Sequence, residues 1–86
     1  MDLIWITKAD YVSDFKISLT FNNGTSGIVE LSKKIEKLPI YKPLKNKNYF
    51  KNFKLNAWTI EWENGADFAP ESLHELIEQE NKAKSQ

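Results

Sequence analysis

Phe15-Lys16-Ile17-Ser18-Leu19-Thr20-Phe21, then Asn22-Asn23-Gly24-Thr25, then Gly27-Ile28-Val29-Glu30-Leu31 is the stretch that decides the fold class. Phe15, Ile17, Leu19 and Phe21 alternate with polar residues, the period-two pattern of a strand buried on one face only. The Asn-Asn-Gly-Thr run supplies residues that tolerate positive φ, and the apolar run that follows resumes the strand pattern. Together they predict an antiparallel hairpin with a loop of three to five residues.

Upstream, Ile4 to Val12 is rich in β-branched and aromatic residues and ends at the turn signal Ser13-Asp14, which predicts a preceding strand. Downstream, Ser32 is placed to cap a short helix or irregular turn carrying Ile35 and Leu38, stopped by Pro39. Ile40 to Leu44 is expected to be extended, because Pro43 disfavours the α region for the residue before it. Tyr49, Phe50 and Phe53 at i, i+1 and i+4 predict one or two turns of helix over residues 46–53. Lys54 to Ala57 and Trp58 to Trp62 read as two further strands, with Asn64-Gly65 as a turn. From Pro70 the period changes: proline suits the first helical position, Glu71 and Glu75 favour its positive end, and Leu73, Leu76 and Ile77 form a stripe. The expectation is an α+β fold: a small antiparallel sheet of about five strand segments, a short central helical turn and a C-terminal helix. Residues 1–80 form one domain, and residues 81–86, without apolar side chains beyond Ala83, form a frayed tail.

Eighty-six residues with no cysteine must be held by packing, without disulfides or a thiolate metal cluster. The N-terminus has no signal-peptide pattern, and no apolar run approaches the roughly 20 residues of a membrane helix, so a cytoplasmic location without membrane contact is expected. Net charge is zero but unevenly laid out. Eight lysines and one acid, Glu36, lie between Lys33 and Lys54, and seven acids with no lysine lie between Glu61 and Glu80. The favoured reading is two faces that neutralise each other across the fold; the other is a basic docking surface. All twelve cations are lysine, so the planar guanidinium fork that reads guanine edges is missing and sequence-specific DNA reading is not expected.

The block Ile60-Glu61-Trp62-Glu63-Asn64-Gly65-Ala66-Asp67-Phe68-Ala69-Pro70-Glu71-Ser72-Leu73, with Leu19-Thr20-Phe21-Asn22-Asn23-Gly24 and Pro43-Leu44-Lys45-Asn46-Lys47-Asn48-Tyr49-Phe50, resembles an uncharacterised bacterial family catalogued as domain of unknown function 2442. The resemblance covers about Tyr11 to Leu76, and its specific part is the spacing of Trp62, Asn64, Gly65, Asp67, Pro70 and Glu71. It implies a small α+β fold with an antiparallel sheet and no established activity. It also implies two possible contexts. Some members are joined to a helix-turn-helix DNA-binding domain, which these residues lack, so operator binding is not expected. Others are encoded beside another small protein in arrangements that look like toxin and antitoxin pairs.

His74 is the single histidine, and Glu71-x-x-His74 has the spacing of two metal ligands on one helix face. With no second such helix, a solvated helix face is the favoured reading. No cysteine, second histidine or nucleophile elbow exists to assemble a triad or a structural zinc site, so neither an enzyme nor a cofactor is expected. Glu61 and Glu63 share a strand face near Asp67, but polar alternation accounts for the first two. Asp67 is expected to accept backbone N–H bonds at the entry to the helix, so that Asp67→Ala lowers the melting temperature. Trp5, Trp58 and Trp62 are expected as core bulk. Lys42, Lys45, Lys47, Lys51 and Lys54, interleaved with Tyr41 and Tyr49, are the candidate partner-binding residues. Phe50 and Phe53 are assigned to the core. The expected function is a non-enzymatic protein-interaction module, the antitoxin-like or regulatory member of a two-protein pair. Its partner is expected to be another small protein, with a homo-oligomer left open. The alternative is a nucleic-acid accessory protein using the lysine-rich centre as an electrostatic track.

Overall fold

The alternation over 15–21 becomes β2 (Lys16–Phe21) at the centre of a three-stranded antiparallel sheet, flanked by β1 (Ile6–Ser13) and β3 (Ser26–Glu30). The computed structural model describes residues 3–84, with side chains described through Glu80. Ile17, Leu19 and Phe21 are essentially sealed from solvent. The register pairs Ile17 with Val29 and Leu19 with Gly27 on the same face. The four-residue loop Asn22–Thr25 lies within the expected length, with Gly24 at φ 89°, a conformation that side chains with a Cβ resist. On the other side of β2, Asp14 takes φ 46° in the tight turn between β1 and β2, as aspartate tolerates better than most residues.

The expected strand segments near 54–62 form a separate two-stranded sheet, β4 (Lys54–Leu55) and β5 (Ile60–Glu61). They are shorter than the sequence suggests because the Asn56 side chain intervenes. Its Oδ1 accepts the Trp58 and Thr59 N–H groups at 2.7 Å each, folding the chain into a turn. The two sheets meet where Ile6 N–H donates to the Trp58 carbonyl (2.8 Å). β1 begins at Ile6, two residues later than expected. The Leu3–Trp5 segment is instead clasped by Asn22, whose side chain accepts from Trp5 N–H (2.9 Å) and donates to the Leu3 carbonyl (2.8 Å).

Between the sheets the chain is helical where an extended segment was expected. A 3₁₀ turn over Lys34–Glu36 leads into a 3₁₀ helix over Pro39–Lys45, then α1 (Lys47–Phe50). Ser32 does not cap the first turn: its N–H and hydroxyl both donate to the Glu30 carboxylate at 2.7 Å. The Ile40–Leu44 expectation fails for a specific reason. Pro39 presets the first helical φ, while Pro43 lacks the N–H that a 3₁₀ helix would direct at the Ile40 carbonyl. That carbonyl is taken instead by the Asn64 side-chain amide at 2.8 Å. The short helix α1 does form where Tyr49 and Phe50 predict it. Asn46 caps it by accepting from Asn48 N–H (2.9 Å).

The C-terminal helix α2 (Pro70–Lys84) buries Leu73 and Ile77 against the three-stranded sheet. Its approach is close enough that a Cβ on Gly27 would lie 2.8 Å from Ile77 Cγ2. The helix runs on to Lys84, past the point where a frayed tail was expected from Asn81; residues 85–86 lie outside the described residues. No helix among the described residues is long and apolar enough to cross a membrane.

Candidate functional site

The block from Trp62 to Glu71 builds one wall of the surface of interest. Trp62 is buried and its indole N–H donates to the Phe50 carbonyl (2.8 Å). The Trp62 and Ala66 backbones close a turn (N–H to carbonyl, 2.8 Å) in which Gly65 adopts φ 90°. Asn64 is the hub of this turn. Its Oδ1 accepts from Ala66 N–H (3.1 Å), its amide holds the Ile40 carbonyl, and its own N–H donates to the Tyr49 hydroxyl (3.0 Å). Three segments distant in sequence are thereby tied together. The buried Thr59 hydroxyl donates to the Phe68 carbonyl (2.7 Å) and sets the last residues before Pro70. Among the described residues Asp67 does not play the part expected of it. Its carboxylate is exposed and accepts no backbone hydrogen bond, while its carbonyl accepts from the Tyr41 hydroxyl (2.8 Å). The amide of Asn64 does the bracing assigned to Asp67, bonding the Ala66 N–H within the turn and the Ile40 carbonyl outside it.

The opposite wall is the 3₁₀ helix over Pro39–Lys45. Three residues per turn set Pro39, Lys42 and Lys45 on one face and Leu38, Tyr41 and Leu44 on another. Leu44 is fully buried, and Tyr41 stacks on Phe68 with ring centroids 4.7 Å apart and planes 10° from parallel. Burial, with the Asp67 charge second, pushes the Tyr41 phenol above its ordinary range. Between the walls lies an open hollow of about 350 Å³, lined by Lys34, Lys37, Leu38, Tyr41, Phe68, Ala69 and Ser72. Lys37 and Leu38 also line an adjoining hollow of about 310 Å³ with Lys42 and Lys45, where Glu36 is the one acid. Lys34 and Ser72 continue into a third hollow that reaches Glu75. The three adjoin as a trough whose central hollow has an apolar floor and whose rim is mainly basic.

The candidate partner-binding lysines are not brought to one place by any bond among them. Lys42 and Lys45 lie in the trough. Lys47 is tied to Asp14 (2.9 Å), with its ammonium 6.0 Å from the centre of the Phe15 ring. That hydrogen bond and the attraction that accompanies it hold the Asp14 carboxyl below its usual range and the Lys47 amine above its own. Lys51 and Lys54 are exposed, and Lys54 faces Glu61 across β4 and β5. Tyr41 and Tyr49 are both half-buried with their hydroxyls engaged, and Phe68 stacks on one face of the Tyr41 ring. As far as Glu78, the two oppositely charged stretches are not joined by contact ion pairs. Among the described residues no ion pair joins the 33–54 lysines to the acids from Glu61 to Glu78, and Lys47 takes its partner from the β1–β2 turn. Glu71, Glu75 and Glu78 are exposed on α2; Glu75 lines the third hollow with Lys34, and Glu78 meets His74. Lys34 and Lys37, which are not among the lysines expected from the sequence, complete the rim; three-residue spacing on a helical turn is the signal that would have found them.

Two further expectations are corrected. His74 is not on a solvated face: its Nδ1 meets Glu78 at 2.9 Å, its Nε2 lies 3.1 Å from Asn23 Nδ2 and 3.2 Å from Thr25 Oγ1, and its ring meets Phe21 edge-on at 5.0 Å. It pins α2 to the β2–β3 loop. Trp58 is not core bulk but 52% exposed, set edge-on against Trp5 at 5.9 Å at the tip of the turn that Asn56 makes. Among the described residues, no group of three or more His, Cys, Asp or Glu side chains is placed to hold a metal ion.

A family described as protein of unknown function, DUF2442, matches residues 6–79. No curated protein matches the chain. Among solved structures, the crystal structure of NE0471 from Nitrosomonas europaea, described as a candidate DNA-binding protein, aligns with a TM-score of 0.77 at 13% identity, over 93% of this chain and 52% of that one. At that identity the likeness is one of fold, and the chain spans about half the length of NE0471.

Proposed function

This chain belongs to the DUF2442 family, and from that premise we propose that it is a non-enzymatic protein-interaction module, the antitoxin-like or regulatory member of a two-protein bacterial pair. The observation that carries the reading is a lysine-rich surface on which, among the described residues, Lys47 is ion-paired and Lys42, Lys45, Lys51 and Lys54 are not, set beside an apolar hollow. Unpaired charge of one sign next to exposed Leu38 and Ile40 favours a partner of opposite sign with apolar area of its own to bury. The partner in this reading is another small protein in the same, cytoplasmic, compartment. The test is a pull-down of the tagged chain from its native cells, with one arm treated with nuclease. A single small protein retained in stoichiometric amount in both arms, and lost when Lys45, Lys47 and Lys51 are reversed to glutamate, supports the reading. Retention indifferent to those reversals places the contact elsewhere.

A second reading is a nucleic-acid accessory protein. Its support is the same lysine run together with the description of NE0471 as a candidate DNA-binding protein. It predicts mobility-shift binding that falls steeply with added salt, and retention that disappears with nuclease.

A further inference from the structure

We infer that the trough between the 3₁₀ helix Pro39–Lys45 and the start of α2 is a docking groove for an acidic peptide segment that carries one large apolar anchor. The inference deepens the interaction-module reading and rests on it. The anchor's seat is the 350 Å³ hollow, floored by Leu38, the Tyr41–Phe68 stack and Ala69, a volume within the ~300–1,000 Å³ typical of small binding pockets. Leu38 is 54% exposed at its mouth, apolar area that an entering side chain would cover.

The charge of the occupant follows from the rim. Lys34 and Lys37 are the charged side chains lining the central hollow, and Lys37 continues into the neighbouring one with Lys42 and Lys45 against Glu36. The remaining acids nearby are Glu75 in the third hollow and Asp67, whose charge acts on the Tyr41 phenol but which does not line the central hollow. The side chains lining the centre thus offer a ligand two lysines and no carboxylate. The walls are fixed beforehand: Tyr41 is held by the Asp67 carbonyl and the Ile40 carbonyl by Asn64, which limits the ordering cost of binding.

A second copy of this chain does not suit the groove. Its acidic run between Glu61 and Glu80 has no large apolar side chain exposed, so it offers charge without an anchor. Single-stranded nucleic acid also fits less well, because one face of the Tyr41 ring is already stacked on Phe68 and the floor beside it is aliphatic.

The experiment is fluorescence anisotropy with a labelled probe peptide of glutamates around one tryptophan. Matched probes have glutamine for glutamate or alanine for tryptophan, and an oligodeoxythymidine of similar length is run in parallel. The acidic, tryptophan-bearing probe is expected to bind best. Lys34→Glu with Lys37→Glu should weaken it by about tenfold or more, Leu38→Ser should weaken it severalfold, and Lys16→Glu on the opposite sheet face should leave it unchanged. Amide shifts in the unmodified protein should cluster at Leu38, Tyr41, Phe68 and Ala69, which keeps the test independent of how the variants fold. Equal binding of all peptide probes, equal loss with Lys16→Glu, amide shifts away from the trough, or tighter binding of the oligonucleotide overturns the inference. If the pull-down yields a protein partner that the Lys34→Glu/Lys37→Glu protein still binds fully, the groove assignment falls while the module reading stands. If the pull-down retains no protein while the probe behaves as expected, the groove assignment stands and the two-protein pair falls.

Discussion

The three-stranded sheet with α2 and the intervening residues 32–69 are held by different means. In the first, alternating apolar side chains do the work: Ile17, Leu19, Phe21 and Val29 share one core with Leu73 and Ile77, and within the strands the backbone is satisfied by the ladder. In the second, ladders are two residues long, and side-chain amides finish what they leave. Asn46 caps α1, Asn56 folds the β4–β5 turn, and Asn64 closes the Trp62 turn and the Ile40 carbonyl together. Buried backbone groups must find partners, and where the regular network is short, asparagine supplies donor and acceptor from one small side chain. The trough lies where the second region meets the start of α2.

The sharpest way to break this contrast is at Trp62, where both means meet. Trp62→Ala removes a buried ring packed against Phe50, Phe53 and Phe68, and its bond to the Phe50 carbonyl, and should cost ~3–5 kcal/mol in urea unfolding. Gly27→Ala tests the first region alone. The added Cβ meets Ile77, so a loss of ~1–3 kcal/mol is expected. The cost should shrink or vanish in an Ile77→Ala background, and an unchanged cost there would show that the clash is not its source. In the second region Asn64→Asp keeps the acceptor for Ala66 N–H but loses the donor to Ile40, for about 1 kcal/mol. Pro43→Ala restores an N–H that can reach that carbonyl and should recover part of the loss. If it recovers nothing, the amide is not replacing the missing proline bond.

The smallest effect should come from the Asp14–Lys47 pair, which joins the two regions on the surface. Asp14 titrates lower in the folded chain, so its contribution is present above the ordinary aspartate range and lost as pH falls through its depressed value. Lys47 titrates higher, so its contribution is fully present below the ordinary lysine value and is lost as pH rises through the raised one. Between these limits Asp14→Asn should lower the melting temperature barely measurably, and the difference should disappear at roughly 1 M salt.

The same division explains what was legible in the sequence. Period-two alternation at 15–21 and the apolar stripe at 73–77 report burial directly, so the sheet, the hairpin and α2 could be read from residue order. The 3₁₀ helix over 39–45 could not. Its stability depends on an amide 24 residues away, and local rules about Pro43 point to an extended chain. For the candidate site, the lysine run and Tyr41 were visible, but their neighbours Phe68, Ala69 and Ser72 belong to a segment that the sequence presents as a turn and a helix start. Asp67 and Asn64 are both turn formers, so residue type alone does not identify the brace; only the direction of each side chain separates them.

The dependence of the Pro39–Lys45 helix on Asn64 also has a bearing on synthesis. A chain emerging from the ribosome N-terminus first exposes all three strands of the larger sheet before Asn64 and Phe68 have left the exit tunnel. Tyr41 would then lack its stacking partner, and Pro43 would leave the Ile40 carbonyl to water. One wall of the trough is thus synthesised early but braced only when the other arrives, so a partner that reads both cannot engage a nascent chain before Ser72 has left the exit tunnel.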